Sequence, residues 1–194
     1  TVASRNQPPI IQLSNASGFS VDPVEGGLSR IFLSFNVTDP DNMTQINATT
    51  AIVNLTLGGS GGQFRFNVSA QGGEFGTCKN HTEGSSARIV INCTIIMKYF
   101  DNASSNWIID ISVMDTLGAT GRNNTNIFTF NELSALSFSR AFLNFSDVNL
   151  GQDNQRAASP LILNNTGNDD FEQLNLTAAA LIGTTDATKS IAAT

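Results

Sequence analysis

The sequence predicts an all-β protein, an Ig-like β-sandwich followed by a second, smaller and incomplete β-sandwich domain. Apolar and polar residues alternate with a period of two in many short segments, and turn residues rich in glycine separate these segments. No segment carries an apolar stripe with the period of a helix. Seven such segments fall within residues 9–131, a spacing typical of an immunoglobulin-like sandwich.

The seven predicted strands share one pattern, in which every second residue is apolar. They lie near residues 10–13, 30–38, 51–57, 63–69, 87–97, 107–114 and 126–130. Trp107, the only tryptophan, shares the inward face of its strand with Ile109 and Ile111. We therefore interpret Trp107 as a core residue rather than as a platform for a ligand.

The rest of the chain predicts a separate unit with few strands. We divide the sequence into an arm or linker at residues 1–8, the sandwich at 9–131 and a second small β domain at 135–194. Strands of this second domain are predicted at residues 136–145, 159–164 and 171–177, with weaker candidates at 147–150 and 179–182. Four or five strands are few for a closed sandwich, so the domain leaves an open edge or takes a strand from elsewhere.

The composition excludes two classes of partner. The net charge is −6 and the ten Lys and Arg residues are scattered, whereas binding to nucleic acid needs clustered basic side chains. No apolar run approaches the roughly 18 residues of a membrane span, so no span is expected in this chain. No signal peptide is evident at Thr1, and the sequence is interpreted as that of a mature chain.

The strongest functional signal is the number of Asn-x-Ser/Thr sequons, the acceptor sites of N-glycosylation. They account for 13 of the 22 asparagines, whereas the Ser and Thr content predicts roughly four by chance. The acceptor residues are Asn15, Asn36, Asn42, Asn47, Asn54, Asn67, Asn80, Asn92, Asn102, Asn123, Asn144, Asn164 and Asn175. The excess predicts a densely glycosylated, extracellular protein; the alternative is an Asn- and Thr-rich surface that forms sequons incidentally.

The strand pattern is consistent with glycosylation, because a glycan must point into solvent. Alternation places the acceptor on the polar face of five predicted strands. These acceptors are Asn36, Asn54, Asn67, Asn92 and Asn175. Asn144 is the exception, since it shares parity with Phe138 and Phe142, and a bulge near Ala141 would be needed to turn it outward.

Cys78 and Cys93 are the only cysteines. Two cysteines in a chain with extracellular markers indicate one disulfide, and two buried free thiols are the alternative. Closing a loop of this size stabilises a fold by roughly 3 kcal/mol.

The sequence contains no constellation for catalysis, and we expect no enzymatic activity. The only histidine, His81, lies inside the Asn80 sequon, and no GxSxG, HExxH or P-loop motif occurs. Calcium is the one candidate metal, because Asp39, Asp41 and Asp115 stand at strand ends that cluster at one pole of a sandwich. The alternative is that these aspartates cap their own turns.

Three motifs resemble those of a known group of modules. They are NQPPI at residues 6–10, VTDPD at 37–41 and VMDTLGAT at 113–120. Together they resemble the Ig-like, cadherin-like and PKD-like modules of prokaryotic cell-surface proteins, in which an NxPP linker opens the domain and a VxDxxGA turn joins its last two strands. The resemblance covers residues 6–131 and implies an extracellular module. The segment LNNTGN at 163–168 is similar to a strand-turn of archaeal secreted β domains, and the sequon density likewise resembles archaeal surface proteins.

Three functional hypotheses follow. The first is a structural subunit of a glycosylated extracellular filament, pilus- or thread-like, in which copies of the chain exchange a β-strand. Its donor would be residues 1–7 or the strand beginning at Ile10. The second is an S-layer or stalk component that tiles without strand exchange. The third is a cell-surface adhesin that binds glycan or protein through loops at one pole.

Overall fold

The computed structural model describes residues 5–14, 17–58, 64–69, 73–81, 88–145, 154–177, 179–182, 188 and 190–191. The strands are β1 Ile10–Leu13, β2 Ser20–Val21, β3 Leu28–Thr38, β4 Ile46–Leu57, β5 Phe64–Ser69, β6 Gly76–His81, β7 Ile89–Lys98, β8 Ser104–Asp115, β9 Thr120–Phe130, β10 Leu136–Phe138, β11 Leu163–Asn165, β12 Leu181–Ile182 and β13 Ser190–Ile191. A single 3₁₀ turn, Met43–Gln45, precedes β4. Within these residues no helix has the length and apolarity needed to cross a membrane.

Strands β1 to β9 form two facing sheets. Sheet 1 has the order β1-β3-β7-β6, and sheet 2 has the order β2-β9-β8-β4-β5. Neighbouring strands are antiparallel except for β2, which runs parallel to β9. This is the strand order of an immunoglobulin-like sandwich, so the predicted all-β sandwich class is confirmed.

Alternation explains why these segments fold as strands. Along β3, Ile31, Leu33, Phe35 and Val37 are buried while the residues between them face outward. The same period places apolar side chains of β7 and β8 in one core between the sheets. Trp107 is fully buried in this core, where its indole N–H donates to the carbonyl oxygen of Asn102 over 2.9 Å. Its predicted role in core packing is confirmed.

The sequence pattern did not predict two strands of the sandwich, β2 and β6. β2 has only two residues, which is too short for a period to be visible. β6 is an edge strand in which Cys78 is the buried apolar residue, so its alternation is weak. The remaining strands begin within a few residues of their predicted positions, apart from β4, which starts at Ile46 rather than near residue 51, and β9, which starts earlier through the polar run at 120–125.

Cys78 and Cys93 form the predicted disulfide. They stand directly opposite each other in the register of β6 and β7, with their Cα atoms 4.0 Å apart, and both are buried. The bond therefore fastens edge strand β6 to the sheet and lies on the core side of it.

Removal of this bond is expected to lower the free energy of unfolding by about 3 kcal/mol, because the unfolded chain regains the entropy of an open loop. The measurement is denaturant unfolding of the double variant Cys78→Ser/Cys93→Ser. Thr77 and Thr94 are register partners next to the disulfide, so Thr77→Ser/Thr94→Ser is a matched control. Equal stability of wild type and the cysteine variant would contradict this expectation.

After Asn131, the residues that the structure describes have much less regular structure than the sequence predicts. The strands predicted at 136–145 and 159–164 shorten to β10 and β11, which pair with each other, and 179–182 shortens to β12. Residues 171–177 form no strand, and 147–150 lie outside the described residues. Because β10 ends at Phe138, the exposed Asn144 needs no bulge to face solvent. We call residues 132–191 the open region.

Candidate functional site at the two poles of the sandwich

The first pole, here the arm pole, consists of Asn6, Gln7, Asp39, Asp41 and Asp115. It lies where β3 ends, β4 begins and β8 turns into β9. Asp39 accepts hydrogen bonds from the backbone N–H groups of Asp41 (2.8 Å) and Asn42 (3.1 Å) through one oxygen. Asp115 likewise accepts from the N–H groups of two residues in its own turn, both at 2.8 Å. Turn capping thus occupies one oxygen of each side chain.

The other carboxylate contacts at this pole hold the segment that leads into β1. The side-chain amide of Asn6 donates to Oδ2 of Asp115 over 2.8 Å, and the backbone N–H of Gln7 donates to Oδ2 of Asp41 over 2.6 Å. Pro9 is buried, and its carbonyl oxygen would lie 1.9 Å from a Cβ placed on Gly121. Only glycine allows this approach, so the NQPP segment is clamped to the start of β9.

These contacts bear on the proposed calcium ligands. Asp39, Asp41 and Asp115 do share one pole, as predicted. Yet no three acidic, histidine or cysteine side chains among the described residues come together as a metal-binding group. Most of their oxygens accept hydrogen bonds from the chain, whereas Oδ2 of Asp39, like Oδ1 of Asn6 at the same pole, is buried and accepts none from the described residues. These contacts form a clamp on the arm, and calcium binding by the three aspartates stays a prediction.

Burial opposes ionisation of Asp115, but hydrogen bonds from Asn6 and from the backbone of Ala119, Leu117 and Gly118 outweigh it and hold the pKa of Asp115 below its ordinary value. A lowered pKa in the folded state stabilises the fold above the unfolded pKa of about 3.9, and this stabilisation is lost as the pH falls through the lower folded pKa. The clamp is therefore acid-labile.

Asn6→Ala removes one of these hydrogen bonds and is expected to move the acid loss of stability to higher pH. The measurement is the denaturation midpoint of both proteins between pH 7 and pH 2. Gln7→Ala is the matched control, because Gln7 contacts Asp41 through its backbone. Coinciding profiles for Asn6→Ala and wild type would show that the hydrogen bond from Asn6 does not lower this pKa.

The second pole, here the hairpin pole, consists of Gly26, Asp101 and Asn131 and lies where β3 begins and β9 ends. The turn after β11 is fastened to it. The N–H of Gly26 donates to the carbonyl oxygen of Thr166 over 3.1 Å. The side-chain amide of Asn168 donates to the carbonyl oxygens of Asp101 (2.9 Å) and Asn131 (3.1 Å). Sequence reasoning does not single out Asn168, because its contacts are distant along the chain, and the xNTGN motif is the signal that lies there.

Beyond this turn the open region leaves large apolar side chains in solvent. Leu176 is 72% exposed and Phe142 is 67% exposed. The exposed set is Phe138, Phe142, Leu143, Phe145, Ile162, Leu174 and Leu176. The sandwich also exposes large apolar side chains, such as Phe32 and Leu117, but it encloses a continuous apolar core as well. Exposed apolar surface on the scale of the open region is typical of interaction sites.

The sequons differ in the environment of their acceptor asparagines. The exposed acceptors are Asn42, Asn80, Asn92, Asn102, Asn144, Asn164 and Asn175. The half-buried acceptors are Asn36, Asn47, Asn54 and Asn123. Asn67 lies on β5, and Asn15 lies outside the described residues.

Asn123 has a structural role that the sequon pattern did not reveal. Its side-chain amide donates to the carbonyl oxygen of Ile11 over 3.0 Å, which ties β9 to β1 across the edge of the sandwich. Its oxygen accepts from the backbone N–H of Thr125 over 3.1 Å. Glycosylation at this nitrogen would compete with the contact to β1.

Comparisons with protein-family models and with curated proteins give no match to this sequence.

Proposed function

We propose that this chain is a structural subunit of a glycosylated extracellular surface filament, pilus- or thread-like, in which subunits assemble by β-strand donation. The observation that carries the proposal is the open region. In the part of this region that the structure describes, the longest strands, β10 and β11, have three residues each, and seven large apolar side chains are exposed. A strand from another copy would pair with an outer edge of the β10-β11 sheet and cover some of these side chains.

The positions of the two poles favour a linear polymer. The arm pole lies at the end of β3 and the hairpin pole at its start, so the 11 residues of β3 separate them by about 36 Å. A contact between the arm of one subunit and the open region of the next would join two different surfaces. Such heterologous contacts form an open filament when the rotation between subunits does not close a ring.

The structure limits which residues could be donated to another subunit. The strand beginning at Ile10 is β1, which pairs with β3 over four residues of its own subunit, so it is not available for donation. Asn6 and Gln7 are held by the arm pole. The donor we propose is therefore residues 1–5, of which 1–4 lie outside the described residues.

Other features agree with a location on the cell surface. Seven of the sequon asparagines are exposed, which is the accessibility that N-glycans require. A disulfide persists in oxidising, extracellular surroundings. The partners we propose are copies of the chain itself and covalently attached N-glycans. The resemblance of the sequon density and of the LNNTGN segment to archaeal surface proteins supports the proposed location. No catalytic role forms part of the proposal.

Negative-stain electron microscopy of the native material, together with its intact subunit mass, tests the proposal. We expect filaments, and a subunit mass well above the 20.6 kDa of the polypeptide. A two-dimensional lattice would favour the S-layer function, and separate subunits would favour the adhesin. A mass equal to that of the bare chain would overturn the proposed glycosylation whatever the form of assembly.

A further inference from the structure

Phe32 is an exposed aromatic residue on the outer face of sheet 1. It is 66% exposed, and the residues on either side of it on the same face of β3 are Arg30 and Ser34. Its ring therefore offers apolar surface on the outer face of sheet 1.

The register of the sheet places Phe32 beside a sequon. Phe32 stands opposite Thr94, and Ser34 stands opposite Asn92, so Phe32 and Asn92 are diagonal neighbours on the same face. Diagonal neighbours in an antiparallel pair are about 7–8 Å apart, within the reach of an aromatic ring. Asn92 is exposed, and Thr94 is the hydroxyl residue of its sequon. A glycan on Asn92 would start next to the ring of Phe32.

A shallow cavity of about 390 Å³ lies on β7, the strand of Asn92, and on the edge strand β6 beside it. It is lined by Thr77, Lys79, Asn80, Asn92 and Thr94. Its size falls at the lower end of small-ligand sites, roughly 300–1,000 Å³. Hydroxyl, ammonium and amide groups are suited to the hydroxyl groups of a sugar, which both donate and accept hydrogen bonds.

We propose that Phe32 and this cavity form a binding surface for the first sugars of an N-glycan on Asn92. The C–H face of a sugar ring would pack on the aromatic ring, while its hydroxyl groups would contact Thr77 and Lys79. The inference rests on the glycosylation in the proposed function and not on filament formation. The glycan is the occupant we commit to, because a covalent tether on Asn92 gives it a high effective concentration at this surface.

Two other sequons on the outer faces also have an apolar residue directly opposite their hydroxyl residue. Ile10 is 58% exposed and stands opposite Thr38, the hydroxyl residue of the Asn36 sequon. On sheet 2, Ile108 stands opposite Thr56, the hydroxyl residue of the Asn54 sequon. An outward apolar side chain therefore lies across the ladder from each of these hydroxyl residues. Phe32 is the strongest case, because it is aromatic and its acceptor asparagine is exposed.

A double-mutant cycle on the native glycoprotein tests the proposal. The variants are Phe32→Ser, Asn92→Gln and the two combined, and peptide mass analysis reports glycan occupancy at Asn92. We expect Phe32→Ser to raise the unfolding equilibrium constant by about three- to tenfold in the glycosylated protein. The same substitution should have little effect once Asn92 is replaced. Leu28→Ser is the matched control, since Leu28 is exposed on the same face of β3 but stands opposite Lys98.

An equal effect of Phe32→Ser with and without Asn92 would overturn the proposal, and so would an Asn92 that carries no glycan. Phe32→Leu keeps apolar bulk and should give an intermediate effect, which separates ring packing from a general loss of hydrophobic surface. Electron microscopy of the same variants keeps the two proposals apart. Filaments should persist in all of them. If Phe32→Ser and Asn92→Gln act independently on stability, the glycan contact is wrong but the evidence on filaments is unaffected. If no filaments form, the stability measurements still test the glycan contact.

Discussion

Deletion of residues 1–5 is expected to abolish filament formation while leaving the sandwich folded. The deletion stops before Asn6, so the clamp to Asp115, the contact of Gln7 with Asp41 and the pairing of β1 all remain. The open region then lacks its donated strand. Covering only two of its exposed phenylalanines would contribute about 3–6 kcal/mol per contact before ordering costs, so the loss should be complete rather than partial.

Electron microscopy and sedimentation of the truncated protein measure this effect, and the thermal midpoint of the monomer reports the fold. Val2→Asp is a milder probe, because it places a charge in the apolar position of the donor, and Thr1→Asp is its matched control on the opposite face of an extended segment. Addition of a peptide with the sequence of residues 1–5 should cap subunits and shorten filaments. If the truncated chain polymerises normally, donation by the arm is wrong, and the S-layer and adhesin functions become the better candidates.

Much of the sandwich could be predicted from the sequence because its signals are local. Alternation along segments such as the one that carries Ile31, Leu33 and Phe35 fixes both the strand and its buried face. The disulfide followed from the cysteine count. Within the described residues, the outward position of Asn92 followed from parity alone.

What the sequence did not predict depends on contacts between distant residues. Asn6 and Asp115 are 109 residues apart, and no local pattern shows that one clamps the other. For the same reason no local pattern shows that these aspartates cap turns and hold the arm, whereas calcium binding by them stays a prediction. The open region departs furthest from prediction, because a segment with strand periodicity forms a strand only when a neighbour completes its ladder.

Gly167 controls how the open region is attached to the sandwich. The chain at residues 166–168 runs against 133–135: the N–H of Thr166 donates to the carbonyl oxygen of Ala135 over 3.0 Å, and the N–H of Asn168 donates to that of Leu133 over 3.1 Å. A Cβ at Gly167 would lie 1.8 Å from the carbonyl oxygen of Leu133. The three atoms nearest to this Cβ are backbone atoms of Leu133 and Ala135, so no flexible side chain could move aside to make room.

Gly167→Ala is therefore expected to push this turn away from Leu133 and to break the contacts of Asn168 with Asp101 and Asn131. Overpacking of this kind costs about 1–3 kcal/mol, which is enough to release a turn held by a few hydrogen bonds. The sandwich core is not involved, so its unfolding transition should stay at the wild-type midpoint. Filaments should be lost, because the acceptor no longer has a fixed position relative to the arm pole.

Limited proteolysis with mass readout measures the release directly, as faster cleavage after Asn131 in Gly167→Ala than in wild type. Gly58→Ala is the matched control, since a Cβ at Gly58 meets no atom within 4 Å. Unchanged cleavage and normal filaments in Gly167→Ala would show that the turn does not fasten the open region. Faster cleavage with normal filaments would separate attachment of the open region from filament assembly. The turn would then fasten the open region, but strand donation would not need a rigid acceptor. The head-to-tail geometry would have to come from the donated strand alone.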